Sequence, residues 1–250
     1  MTIWRRGCVH KFLTCFRYRP TFFAVAGQFL GLGPVAPIFY FLCIVFGPTA
    51  SDLAESSPQC PTIWRGRSIR LLLIVLLFHT LEAFAMFLAS GYRIQHFWTW
   101  AWQLTPLWIG VFNVVVGQII GVLHGKNSRV AAPKPILVVL GLVSSSVWIY
   151  TLLYCPHSLS TIFIPEGGVQ TEFIQHTRKA LQADELGVFS SSILWLTYSF
   201  FDLHVAGFIG SDWLFYTASL PIVTLCVGPG AAFVIGWSVR EKALEFALKS

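Results

Sequence analysis

Charge is scarce in this chain of 250 residues: Asp, Glu, Lys and Arg make up 11% of it, against 55% hydrophobic residues. A water-soluble domain carries about 25% charged residues. The composition therefore excludes an ordinary soluble fold and makes lipid part of the expected solvent. Cysteine pairs at metal-ligand spacing are also missing. Cys8, Cys15, Cys43, Cys60, Cys155 and Cys226 form neither a zinc-binding pattern nor a disulfide framework, so no metal is expected. No Asn-x-Ser/Thr acceptor occurs, and GxSxG, HExxH, Walker, GxGxxG and DDxxD motifs are absent. Their absence removes support for hydrolase, zinc-protease, nucleotide and metal-diphosphate chemistry, and no cofactor is expected. Met1 to Pro20 is too basic and broken to be the apolar core of a cleaved signal and is expected to stay attached.

What the chain has in quantity is long apolar runs. A bilayer core about 30 Å thick takes about 20 mostly apolar residues in a helix. Windows of that kind predict an all-α, polytopic transmembrane helix bundle with spans at 22–46, 69–90, 97–123, 135–154, 189–209 and 213–238 in one integral membrane domain. A seventh span would have to hide in 155–188. Pro156, Pro165, Gly167 and Gly168 and the charges at Glu172, Arg178, Lys179, Asp184 and Glu185 make that connection an interfacial loop or short helix instead. The formal net charge of +6 sits mainly in termini and short loops, where it reads as topology. It favours cytoplasmic termini and argues against a nucleic-acid partner. Small residues mark close packing: Gly27 and Gly31 on the first span, Gly110, Asn113, Gly117 and Gly121 on the third, and Gly228, Pro229 and Gly230 interrupting the sixth.

Ionisable groups inside such runs are costly, at about 2.5 to 3.5 kcal/mol for a central carboxylate on insertion scales, so they are functional candidates. Leu71 to Ser90 contains two, His79 and Glu82, which share a helix face with Met86. Glu82 is the first-ranked acid and His79 its neighbour; a buried hydrogen bond between the two is the structural alternative. Asp202, second, ends a stripe with Tyr198 and Trp195 at i−4 and i−7, although solvation at an interface would also explain it. Asp184 is third. Trp98 and Trp102 share a face of the third span, where an interfacial aromatic belt competes with a role in stabilising cations. Trp98, Trp102, Trp195 and Tyr198 are the candidate substrate-binding residues.

Gly33 to Tyr40 (GPVAPIFY), Leu81 to Ala89 (LEAFAMFLA), Trp98 to Trp108 (WTWAWQLTPLW), Gln182-Ala183-Asp184 and Gly228 to Trp237 (GPGAAFVIGW), in that order, resemble fungal membrane-bound terpene cyclases of the ascofuranone/ascochlorin pathway type. This chain departs from that pattern at Glu82, where many relatives carry proline, and at Glu185, where an aromatic residue is usual. The resemblance implies metal-free cyclisation of a lipophilic isoprenoid or prenylated aromatic substrate, started by protonating an epoxide or alkene. It also implies a multi-pass protein of the endoplasmic reticulum, acting after a prenyltransferase and an epoxidase. The competing expectation is a non-enzymatic transporter or a scaffold of a biosynthetic complex. No internal repeat supports a transporter.

Overall fold

The computed structural model describes residues 20–55, 68–124 and 134–247, and within them every regular element is helical. The basic N-terminal segment and most of the loop arginines and lysines behind the charge bias lie outside the described residues, as do Cys8, Cys15 and Cys60. In chain order the helices are α1 Pro20–Leu30, α2 Leu32–Phe46, α3 Ala50–Glu55, α4 Ser68–Val75, α5 Leu81–Leu88, α6 Tyr92–Gln103, α7 Thr105–His124, α8 Lys134–Tyr154, α9 Leu159–Phe163, α10 Phe173–Val205, α11 Asp212–Val227 and α12 Pro229–Ala247. A π-turn, Leu76–Thr80, joins α4 to α5.

Six membrane spans are not what these helices provide. Among the described residues two helical stretches, Leu137–Tyr154 and Phe173–Val205, are long and apolar enough to cross a bilayer. The other apolar runs are broken by local chemistry. Gly31, at φ 85°, separates α1 from α2, and Gly228, at φ 88°, separates α11 from α12; both lie in the left-handed region that favours glycine. Leu104 interrupts the third run between α6 and α7. The 155–188 connection is also more helical than expected, with α10 starting at Phe173 and running for 33 residues, about 50 Å. Three of its charges have partners: Arg178 pairs with Glu166 at 2.7 Å, Lys179 donates to the Gly168 carbonyl, and Asp184 accepts from a backbone N–H.

Described residues 30–55 and 137–247 form one compact unit, and 20–29, 68–124 and 134–136 another. In the larger unit α2 crosses α10 at Gly33 and Gly187. A Cβ on Gly187 would lie 2.8 Å from Gly33 Cα, so only glycine allows this approach. Leu196, Phe200 and Leu203 of α10 are almost fully buried against Ala50, Leu220 and Leu244, with Trp195, Tyr216 and Trp237 packed around them. Gly228 lets Trp148 of α8 settle on the start of α12, where the Trp148 Nε1 donates to the Leu225 carbonyl at 3.2 Å. In the smaller unit Gly110 accepts Thr21 of α1, and the Phe78 and Phe112 rings meet at 4.5 Å, tilted by 35°. Phe87, Leu88, Leu153, Phe215 and Leu225 are all more than two-thirds exposed. Apolar side chains in such number facing outward mark surfaces made for lipid or a partner rather than water.

Candidate functional site

Glu82 sits in the smaller unit at the start of α5, one residue beyond Leu81, and is 6% exposed. A π-turn widens the helix by one residue, and on leaving it a carbonyl is skipped by the regular i→i+4 ladder. The Phe78 carbonyl, inside that turn, is met by a side chain: Thr105 Oγ1 lies 2.7 Å from it and 2.8 Å from Glu82 Oε2. Thr105 is itself 4% exposed. A hydroxyl has one proton and a carbonyl has none. Thr105 can share that proton between the two oxygens, or give it to Phe78 alone when the Glu82 carboxyl carries a proton of its own. With Thr105 donating to Phe78 and a neutral Glu82 donating to Thr105, all three oxygens are satisfied without a buried charge.

His79 does not pair with Glu82 among the described contacts; its ring lies against Trp102, 6.2 Å between centroids and tilted 31°. Trp102 Nε1 is buried and has no acceptor among the described residues, leaving one indole donor open on the residue that His79 faces. Trp98 is half-buried on the same helix, α6.

The other two acids lie in the larger unit and are engaged at helix starts. Asp184 Oδ1 accepts the Gly33 N–H at 2.5 Å, in the first turn of α2. Asp202 Oδ2 accepts the Ala50 N–H at 2.7 Å, at the first residue of α3. A carboxylate at a helix N-terminus satisfies an orphan donor and meets the positive end of the macrodipole. Trp195 stacks on Trp237 at 5.1 Å and 14°, under the Arg240 guanidinium, which stands 5.2 Å from the Trp237 ring. Tyr40 receives a hydrogen bond from Ser192 at 3.0 Å beside this cluster, whereas Tyr198 is 41% exposed. The expected site residues are thus divided: Glu82, His79, Trp98 and Trp102 in one unit, Asp184, Asp202, Trp195 and Tyr198 in the other. Thr105 and the Phe78 carbonyl were not expected. The Thr-Pro at the start of α7 signals a helix boundary, but nothing in the sequence marks a π-turn.

No protein-family model matches the chain, and no solved structure matches it. It is similar to the FAD-dependent monooxygenase verC1 of Penicillium polonicum, 25% identical over 233 residues, which are 90% of this chain and 29% of that protein. It is also similar to the FAD-dependent monooxygenase anuJ of Penicillium roqueforti, 25% identical over 225 residues, 86% of this chain and 27% of that one. The chain spans less than a third of the length of these relatives. They correct the resemblance to terpene cyclases: the relatives carry the name of another enzyme class, one that inserts oxygen rather than isomerises, and the cyclase expectation falls with its isomerase chemistry.

The flavin implied by those names does not fit the residues present. A dinucleotide is held where a strand turns through glycines into a helix N-terminus that receives the pyrophosphate. The described residues contain no strand, and the sequence has no GxGxxG. The starts of α2 and α3 already hold carboxylates, which would repel a phosphate, and the start of α12 is filled by Trp148 and Ser144.

Proposed function

We propose that this chain is the membrane-associated, substrate-handling part of a flavin-dependent oxygenation of a lipophilic molecule, with the flavin carried on a different stretch of protein. The observation that carries this reading is the asymmetry of the similarity: 86 to 90% of this chain matches less than a third of each FAD-dependent monooxygenase, and its described residues offer no dinucleotide cradle. The remaining length of those relatives has room for a flavin-binding fold. The two long apolar helices and the outward-facing Phe, Leu and Ile side chains suit a module that meets its substrate in lipid, where each buried methylene is worth about 0.8 kcal/mol. Glu82 is its proton-carrying group: as a buried neutral acid held by Thr105 it can donate to an oxygen of a bound molecule without importing a charge.

The test exchanges parts. The segment of the Penicillium polonicum protein that matches this chain is deleted, or replaced by this chain. The deleted protein is expected to keep its FAD but leave the membrane fraction and lose oxygenation of the substrate that the intact protein turns over; the replacement is expected to restore membrane association. Loss of FAD on deletion, or tight FAD binding by this chain alone, sinks the reading.

A further inference from the structure

An open trough of about 420 Å³ runs between α9 and α10, within the size range of small-molecule sites. Its walls are Ile162 of α9 and one face of α10, on which Phe173, Ile174 and Leu181 recur at helical spacing. Phe173 and Ile174 are each about four-fifths exposed, so nothing among the described residues covers this apolar wall. Gln182 fixes the wall. It is 5% exposed, and its amide nitrogen donates to the Thr161 and Ile162 carbonyls, each at 2.8 Å, tying α9 to α10.

The polar groups of the trough are accounted for, with one exception. Thr177 donates to the Phe173 carbonyl, and Arg178 is committed to Glu166. Glu185, half-buried at one end, has no hydrogen-bond or ion-pair partner among the described residues. An apolar trough ending in one uncommitted carboxyl matches a molecule with the opposite layout: a hydrocarbon body with a single hydroxyl head. A hydroxyl donates to the carboxylate or accepts from the acid, so it suits either charge state of Glu185.

We infer that the trough between α9 and α10 binds a lipophilic alcohol or phenol, its hydrocarbon against Ile162, Ile174 and Leu181 and its hydroxyl on Glu185. This names the substrate class for the reading above and rests on it only for the purpose served, since the binding itself involves no flavin. The full-length chain in phosphatidylcholine nanodiscs is incubated with radiolabelled farnesol and competed with unlabelled farnesol or with farnesene, the hydrocarbon of the same skeleton. Farnesol is expected to compete about tenfold better, the loss of one hydrogen bond to a carboxyl being worth about that factor. Glu185→Leu should abolish the preference while keeping farnesene competition, and Glu185→Gln, which retains an acceptor, should keep part of it. Leu181→Asp, at an exposed position, should weaken both ligands tenfold or more. Equal competition by the two ligands in the wild type, an undiminished preference in Glu185→Leu, or unchanged binding in Leu181→Asp overturns the site. Failure of the segment exchange alongside alcohol-selective binding here would reject the oxygenation reading and leave the site standing.

Discussion

Thr105→Val tests the proton count at Glu82. Valine has the shape of threonine without its hydroxyl, so no cavity forms, but two buried polar groups lose their partner at once: the Phe78 carbonyl at 2.7 Å and the Glu82 carboxyl at 2.8 Å. Leaving a buried polar group unsatisfied costs about 1 to 3 kcal/mol. Two such groups give about 2 to 6 kcal/mol, with the lower half expected if the carbonyl regains a ladder partner. Thr105→Ser keeps the hydroxyl and removes one methyl, for about 1 kcal/mol. Unfolding in detergent followed by the helical circular-dichroism signal should therefore order the proteins as wild type, Ser, then Val. Infrared spectroscopy supplies the second readout. A carboxylic-acid C=O stretch should be present at neutral pH in the wild type and disappear in Glu82→Gln. A Val protein as stable as the Ser protein, or a wild-type spectrum without that band, refutes the neutral-acid arrangement.

The glycine crossing gives a sign test. Gly187→Ala gains about 1 kcal/mol of helix propensity in isolation, yet its Cβ would lie 2.8 Å from Gly33 Cα, a backbone atom that cannot step aside. A net loss of about 1 to 3 kcal/mol in thermal unfolding is expected, and a stabilised variant would show that α2 and α10 do not meet there. Asp184 separates capping from chemistry. Asp184→Asn keeps an acceptor for the Gly33 N–H and should lose only about 0.5 kcal/mol, whereas Asp184→Ala should lose about 1 to 2 kcal/mol. A stable Asn protein that has lost turnover would assign Asp184 to the reaction instead.

Helical class, the interruption at Gly228-Pro229-Gly230 and the burial of Glu82 were legible because each rests on a local signal: apolar run length, Gly-Pro punctuation, and an acid within a long apolar segment. The number of spans was not. Run length counts residues and is blind to a glycine such as Gly31 that turns left-handed between two helices, or to a break such as Leu104, marked only by the Thr-Pro that follows it. The interfacial loop or short helix expected before 189 gave way to a long helix for a related reason. Charges at Arg178, Lys179 and Asp184 argue for solvent only while their partners are unknown, and here those partners lie 12, 11 and 151 residues away. The acids were ranked by cost of burial, which picks out Glu82 but cannot foresee that Asp184 and Asp202 are consumed by distant backbone.

Those two carboxylates also set a schedule for biogenesis. The Gly33 and Ala50 amides, near the beginning of the chain, are completed by side chains 151 and 152 residues later. At about 5 to 20 residues per second, a ribosome needs about 8 to 30 s to cover that distance. For that interval the first helices of the larger unit exist without the acids that cap them or the helix they cross. The translation machinery must shelter these unpaired apolar helices until α10 emerges, and a stop or stall before Asp202 leaves the Ala50 amide without its cap.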